Sequence, residues 1–169
     1  MHKLNFSFIE KKIRTKTFGI LTTVNQDGTP HTTGILYTVA APTSQFALYF
    51  LTSEKYKKVR NIKKDPHVSF IIPFPHYCIR FAPSGTVTFY GNIELIPTDT
   101  PGILTLFQRK RILRLITKEI KEDLTEPYIF MKMIPDPKVL CFGVGIGIIK
   151  LRKAHAQGGF SVIIPKSRL

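Results

Sequence analysis

Short runs in which hydrophobic and polar residues alternate recur along most of this chain, separated by turn-forming residues. Alternation predicts strands, because successive side chains of a strand point to opposite faces of the sheet. The predicted strands are Phe18–Val24, Thr32–Val39, Phe46–Leu51, Val68–Ile72, Thr86–Ile96, Tyr128–Ile134 and Val139–Val144. Asp27-Gly28 predicts a hairpin turn, and Gly91 predicts a bend in the long fifth strand. Two further apolar runs, Ile148–Leu151 and Phe160–Ile164, lie in the tail.

Three segments predict helices. Ser7-Phe8-Ile9-Glu10 matches a capping box and predicts a helix over Phe8–Lys16. A short helix is expected over Lys55–Lys63, before the break at Asp65-Pro66. In Ile103–Asp123, apolar residues recur at the helical spacing and predict one long amphipathic packing helix. Its apolar stripe consists of Ile112, Ile116, Ile120 and Leu124, with Leu113 beside them.

The order of these elements predicts a mainly β protein with flanking helices. Six or more strands joined as hairpins favour an antiparallel barrel, because closing a sheet removes its exposed edges. A loop rich in proline and aromatic residues, Pro73–Ser84, precedes the fifth strand. No repeat or linker divides the 169 residues, so we expect a single domain over 1–169.

The chain is strongly basic, with 25 Lys and Arg against 11 Asp and Glu and a formal net charge of +14. Nucleic acid, an acidic membrane surface or a polyanionic cofactor would each suit this charge. The cations are dispersed in four groups, at Lys11–Lys16, Lys55–Lys64, Arg109–Lys121 and Lys150–Lys153, without a nucleic-acid-binding motif. No apolar run reaches the ~18 residues of a membrane helix. Charges interrupt the apolar N-terminal segment, so we expect no signal peptide and a cytoplasmic location.

Motifs for metal binding or hydrolysis do not occur in the sequence. Cys78 and Cys141 stand alone and are interpreted as small buried hydrophobes. Gly143–Gly147 lacks the spacing of a dinucleotide-binding loop and is interpreted as a flexible strand exit. We therefore predict no metal site, and no catalytic acid or base can be assigned.

The strongest candidate for a binding site lies within Leu48–Ile72. A predicted strand ends in Thr52-Ser53, and a cationic segment follows. Its cations are Lys55, Lys57, Lys58, Arg60, Lys63 and Lys64. Hydroxyl groups, the N–H groups of a helix N-terminus and ammonium groups are typical of a phosphate site. The alternatives are that Thr52-Ser53 only caps the helix and that Lys63 and Lys64 are solvated.

The chain resembles the FMN-binding split barrels of the pyridoxamine 5'-phosphate oxidase-like superfamily over about Phe18–Ile96. The resemblance rests on the order and spacing of several short motifs. These are Phe18-Gly19-Ile20-Leu21-Thr22-Thr23-Val24, Asp27-Gly28-Thr29-Pro30-His31, Leu48-Tyr49-Phe50-Leu51-Thr52-Ser53, Lys57-Lys58-Val59-Arg60-Asn61-Ile62, Asp65-Pro66-His67-Val68-Ser69 and Thr86-Val87-Thr88-Phe89-Tyr90-Gly91-Asn92-Ile93-Glu94-Leu95.

This resemblance implies a homodimer of antiparallel split barrels with two flavin sites at the subunit interface. It implies that Thr33, Gly34, Ile35 and Leu36 lie along the isoalloxazine ring, and that Thr52, Ser53, Lys57 and Lys58 hold the phosphate. It also implies that Tyr77 and Arg80 approach the flavin of the partner subunit. Packing is the alternative for Tyr77 and Arg80, and a β-bulge is the alternative for Gly34.

The match does not extend to the true vitamin B6 oxidase, which uses an arginine and a histidine near its C-terminus. The corresponding pair here, Arg152 and His155, stands in a sequence that does not match. We therefore expect an FMN-dependent oxidoreductase that acts on another small molecule, with NAD(P)H as a possible donor. The alternatives are a protein that binds flavin, deazaflavin or haem without turnover, and a barrel that binds nucleic acid.

Overall fold

The computed structural model of the chain describes residues 4–75, 84–122, 127–147, 149, 151 and 158–169. Its helices are α1 (Phe6–Arg14), α2 (Lys57–Lys64), α3 (Ile103–Gln108) and α4 (Arg111–Glu122), with a short 3-10 helix at Lys166–Arg168. Its strands are β1 (Phe18–Val24), β2 (Pro30–Val39), β3 (Leu48–Ser53), β4 (His67–Phe74), β5 (Gly85–Ile96), β6 (Tyr128–Pro135), β7 (Lys138–Phe142) and β8 (Gly159–Ile163). None of the described helices has the length and hydropathy that crossing a membrane requires.

Six of the strands close into an antiparallel barrel, which confirms the predicted fold class. They are hydrogen-bonded in the order β4-β1-β2-β3-β6-β5, and β5 pairs back onto β4. Gly91 lies where β5 exchanges its partner, from β4 over Gly85–Asn92 to β6 over Gly91–Ile96. A Cβ atom at Gly91 would lie 2.2 Å from the Ile134 carbonyl oxygen, so only glycine fits this crossing.

The barrel interior is filled by aromatic and aliphatic side chains, and α1 closes one end. Tyr37, Phe50 and Phe70 are fully buried, and the ring centroids of the last two lie 4.9 Å apart. From α1, Ile9 and Ile13 join the same core. The Tyr37 hydroxyl donates a 2.6 Å hydrogen bond to the Ile13 carbonyl, which fixes the helix against the barrel.

The helix α1 begins at Phe6, so the predicted capping box is wrong. Asn5 is the N-cap, and its side-chain oxygen accepts from the Phe8 N–H at 3.0 Å. Glu10 does not reach back to the helix start, because it is buried between two guanidinium groups. Its Oε1 lies 2.6 Å from Arg14 Nη2 and 3.1 Å from Arg168 Nη2. The ion pairs tie α1 to the C-terminal residues.

The single long helix predicted over Ile103–Asp123 is also wrong, because α3 and α4 are separated at Arg109 and Lys110. The Lys110 ammonium donates to the Lys16 carbonyl beside the end of α1, and Phe107 stacks on Phe130 of β6. These two anchors hold α3 on the outside of the barrel and end it before α4.

One residue of the predicted apolar stripe, Ile112, does not lie on the buried face of α4. Ile112 is 50% exposed, whereas Leu113 and Thr117 are buried. Leu124 and the side chains of Ile116 and Ile120 lie outside the described residues. Leu113 and Thr117 are four residues apart, so the buried face of α4 is displaced by one position from Ile112.

Candidate functional site

The barrel wall opens between β2 and β3. The ladder between these strands joins only Tyr37–Val39 to Leu48–Phe50. Among the residues that the structure describes, β2 beyond Tyr37 is paired with β1 alone, and β3 beyond Phe50 is paired with β6 alone. The two strand edges that face this opening therefore present backbone N–H and C=O groups without ladder partners, which suits a ligand with a polar edge.

The opening brings together six of the residues predicted from the sequence. Thr33, Gly34, Ile35 and Leu36 form one edge, and Thr52 and Ser53 form the end of the other. Thr33 pairs with Leu21 across β1, so its side chain shares the inner face of the barrel with that core residue. The Thr33 Oγ1 atom is buried and has no hydrogen-bond partner among the described residues. Burying a hydroxyl without a hydrogen-bond partner costs folding free energy, so Thr33 Oγ1 is a candidate to hydrogen-bond a ligand.

Gly34 lies on the outer face at the same edge. A Cβ atom there would lie 2.8 Å from two carbons of the Phe18 ring, which is 49% exposed. Glycine thus lets an aromatic ring lie directly against the strand backbone. The edge of the opening is flat and apolar on its outer side.

Beyond β3, the chain turns into α2 without a side-chain cap. The Ser53 hydroxyl accepts from the Lys55 N–H at 3.3 Å, and the Ser53 carbonyl accepts from the Tyr56 N–H at 3.3 Å. The N-cap of α2 is Tyr56, and it makes no capping bond. The alternative that Thr52-Ser53 is the cap is therefore wrong, because these residues form the preceding turn. An uncapped N-terminus carries partial positive charge and favours an anion.

The two lysines that open α2 lie in different surroundings. Lys58 is buried, with 8% of its surface exposed, and its Nζ lies 4.4 Å from the centroid of the Tyr56 ring. Burial lowers the pKa of Lys58. Among the described residues it forms no ion pair. A desolvated cation of this kind is stabilised by a bound anion.

Lys57 lines a cavity of about 720 Å³ between the β1–β2 turn and α2. The turn contributes Asn25, Gln26 and Asp27, and the helix contributes Lys57, Arg60, Asn61, Lys63 and Lys64. Lys63 and Lys64 are exposed, as predicted. From the sequence, Arg60 was one of the cations of this segment without a role of its own, and Asn61 was not a candidate. Their spacing from Lys57, at i+3 and i+4 of the helix, is the signal that could have placed them on its face.

Asn61 fastens this helix to the barrel. Its side-chain N–H donates to Thr23 Oγ1 at 3.1 Å and to Asn25 Oδ1 at 3.0 Å. Both acceptors belong to the end of β1 and the turn that follows. The position of α2, and with it of Lys58, is therefore set by buried hydrogen bonds as well as by the packing of Val59 and Ile62 in the core.

Tyr77 and Arg80 lie outside the described residues, as do Cys78, Arg152 and His155. Their assignments stay predictions. Cys141 is buried, as predicted, and burial raises the pKa of its thiol to about 12.

The sequence profile described as pyridoxamine 5'-phosphate oxidase matches residues 8–111, which is more than half of the chain. The chain belongs to the pyridoxamine 5'-phosphate oxidase family. The predicted resemblance is thereby confirmed, and the match includes β1 to β5, α2 and the opening between β2 and β3. No curated protein matches the chain.

Solved structures share the fold of this family member at low sequence identity. A conserved hypothetical protein from Mycobacterium tuberculosis is 19% identical, with a TM-score of 0.58 over 79% of this chain and 81% of that one. The haem storage protein HutZ from Vibrio cholerae is 16% identical, with a TM-score of 0.61 over 80% and 94%. A FAD-binding protein from Mesorhizobium loti is 21% identical, with a TM-score of 0.57 over 80% and 90%.

Proposed function

We propose that this protein binds FMN and is a flavin-dependent oxidoreductase acting on a small molecule. The observation that carries the proposal is the buried Lys58 at the uncapped start of α2, next to the end of β3. A buried ammonium and helical N–H groups that the Tyr56 side chain does not cap suit the dianionic phosphate of FMN, because charge-assisted hydrogen bonds are the strong ones.

The rest of the opening fits the ring of a flavin. The edge of β2 from Thr33 to Leu36 offers backbone donors and acceptors to a heterocycle, and Thr33 Oγ1 offers one more polar atom. Gly34 leaves the outer side of this edge flat. A bound flavin supplies the hydride or electron transfer. The residues of the chain bind the phosphate, orient the ring and exclude water.

The homodimer is part of this proposal, and an uncharged row of residues on the outer face of the sheet supports it. One row of paired residues crosses six strands without a charge and consists of Gly34, Ile20, Ile71, Thr88, Leu140 and Ser161. Beside it lie Thr32, Thr22, Ser69 and Tyr90 on β2, β1, β4 and β5, whereas β7 carries Lys138 on the same face. In a chain of net charge +14, an uncharged face is where a second copy can approach without repulsion. The row ends at Gly34, so a partner seated on it would adjoin the opening.

A second candidate is binding without turnover, of FMN, a deazaflavin or haem. The FAD-binding protein from Mesorhizobium loti and the haem storage protein HutZ favour it, because both share the fold. The cytoplasmic location expected from the sequence stays a prediction.

The test is an absorption spectrum of the purified protein before and after incubation with FMN and desalting. We expect retained flavin bands that bleach under NAD(P)H or dithionite. Retained flavin bands that only dithionite bleaches would favour binding without turnover, and a Soret band would favour haem. If FMN washes off and no colour is retained, the proposal is wrong, and titration with nucleic acid at several salt concentrations is the next experiment.

A further inference from the structure

The outward face of α4 carries two large apolar side chains. Ile112 is 50% exposed and Leu115 is 59% exposed, and residues three apart are neighbours on the surface of a helix. The helix rests on the barrel through Leu113 and Thr117, which are buried on its other side. The packing of α4 therefore does not explain why Ile112 and Leu115 are apolar.

Exposed cations surround this apolar pair. Leu115 has Arg111 four residues before it and Lys118 three residues after it, so both are its neighbours on the helix surface. Arg114 is exposed on the same helix, and neither arginine forms an ion pair with a described residue. We call this surface the α4 patch, and its residues are Arg111, Ile112, Arg114, Leu115 and Lys118.

The charges of α4 are placed against its own dipole. Its first turn holds Arg111 and Arg114 and no acidic residue, and its two glutamates, Glu119 and Glu122, stand in the last turn with Lys121 between them. Positive charge near the N-terminus of a helix and negative charge near its C-terminus both destabilise the helix. Since the two arginines do not serve the stability of α4, we look for an anionic partner outside the chain.

The shape and size of the α4 patch favour a lipid surface over a protein as this partner. A protein interface of standard size has about 20 to 30 residues on each side, whereas the patch has five described residues on the convex side of one helix. A basic amphipathic helix needs no shaped pocket on an anionic bilayer, because its cations meet the headgroups and its apolar side chains enter the boundary below them. A second copy of the chain would bring the same three cations, and like charges across an interface are unfavourable.

We propose that the α4 patch binds the surface of an anionic lipid bilayer. Ile112 and Leu115 enter the boundary between headgroups and acyl chains, and Arg111, Arg114 and Lys118 lie at the headgroups. The contact is with the surface only, since none of the described helices has the length and hydropathy for crossing a membrane. Two apolar side chains and three cations give a weak, reversible attachment that salt screens. This inference does not depend on flavin binding.

The experiment measures co-sedimentation of the full chain with two kinds of vesicle at several salt concentrations. One kind is phosphatidylcholine alone, and the other contains about a third of phosphatidylglycerol, which is anionic. The two variants of the patch are Ile112→Ser/Leu115→Ser and Arg111→Gln/Arg114→Gln.

Each variant has a matched control that changes exposed residues elsewhere. The apolar control changes two isoleucines that are 74% and 60% exposed, and it is Ile149→Ser/Ile163→Ser. The cationic control changes two exposed lysines, and it is Lys11→Gln/Lys166→Gln. Thermal unfolding without vesicles checks that the variants and controls are folded, which we expect because every substituted side chain is at least half-exposed or on the surface.

We expect the full chain to bind the anionic vesicles at least about ten times more strongly than phosphatidylcholine, since each cation near an anionic surface contributes roughly fivefold to the partition coefficient. Both patch variants should lose about tenfold or more on the anionic vesicles, and both controls less than about threefold. Added salt should release the full chain.

Four results would overturn the inference. They are no binding of the full chain to anionic vesicles, equal binding to both kinds of vesicle, patch variants that bind as the full chain does, and controls that lose as much as the variants. Light scattering without vesicles tests the other occupant. If Ile112→Ser/Leu115→Ser lowers the molar mass in solution, the patch is a contact between copies of the chain, and the assignment to a membrane is wrong.

Discussion

Replacing Lys58 by methionine should separate ligand affinity from stability. The side chain is buried, burial lowers its pKa, and its Nζ lies 4.4 Å from the centroid of the Tyr56 ring. Methionine keeps the length of the apolar stem and removes the charge. Without a ligand, the variant should be as stable as the unchanged protein or more so, because a buried cation without an ion pair is removed.

The affinity for FMN should fall. A hydrogen bond between charged groups contributes about 1.5 to 3 kcal/mol, so the dissociation constant should rise roughly 10- to 150-fold. The matched control is Lys57→Met. The Lys57 side chain lines the cavity between the β1–β2 turn and α2, so this substitution should change FMN affinity less than about threefold. Replacing both lysines by alanine should weaken binding at least about tenfold, or 1.4 kcal/mol.

The assays are flavin fluorescence titration for affinity and urea unfolding without ligand for stability. FMN affinity in Lys58→Met within about threefold of the unchanged protein would refute the assignment of Lys58 to the phosphate, since a lost charge-assisted bond costs more than that. If Lys57→Met loses more FMN affinity than Lys58→Met does, the phosphate should be assigned to the cavity that Lys57 lines. Reduced stability of the ligand-free Lys58→Met protein would contradict the reasoning about desolvation.

Three further predictions concern the opening, the uncharged face and the α3–α4 junction. Gly34→Val should displace the Phe18 ring, which a Cβ atom would approach to 2.8 Å, and weaken FMN binding in the same titration. Leu140→Lys should shift a dimer towards monomer in light scattering, whereas a dimer that persists would exclude this face. Burial and Arg14 lower the pKa of Lys110 to about 8, so the folded state binds fewer protons than the unfolded state above that pH. The unfolding free energy of the unchanged protein relative to that of Lys110→Met should therefore rise between pH 7.5 and 9. The rise should be less than about 1 kcal/mol, because the Lys110 side chain is only half-buried. A difference that does not change with pH would contradict the lowered pKa of Lys110.

Local patterns predicted the strands well because each strand carries its own signal. The bounds of β1 agree with the prediction at both ends, because alternating residues run up to the Asp27-Gly28 turn. The predicted strand Phe46–Leu51 begins and ends two residues too early. Phe46 is apolar and fully buried but lies outside the ladder, and Thr52 and Ser53 are polar but paired with β6.

Features that depend on distant contacts were not predictable from the sequence. The break between α3 and α4 depends on the bond from Lys110 to Lys16, which is 94 residues away along the chain. Glu10 looked like a capping residue, and Arg168 at the other end of the sequence is one reason that it is not. The local sequence pattern shows neither Lys16 as the partner of Lys110 nor Arg168 as the partner of Glu10, because each pair is close in space and far apart along the chain.

The candidate site was predictable in its composition and not in its layout. Hydroxyls at the end of a strand and lysines at the start of a helix are a local signal, and it made Thr52, Ser53 and Lys58 candidates, which stay predictions. The same signal treated Lys57 and Lys58 as one pair. In the structure Lys57 lines the cavity between the β1–β2 turn and α2, whereas Lys58 is buried. That division depends on the direction in which α2 leaves the barrel, which Asn61 sets through residues of β1 and its turn.

The distribution of charge is more informative than its total. A net charge of +14 by itself suits nucleic acid, a membrane or a cofactor. The structure concentrates cations on one face of α2, beside an opening in the barrel wall, and leaves a row across six strands uncharged. A nucleic-acid-binding surface needs cations spread over an extended face that follows the phosphate backbone. A cationic cavity of about 720 Å³ between the β1–β2 turn and α2 instead suits a small anionic ligand.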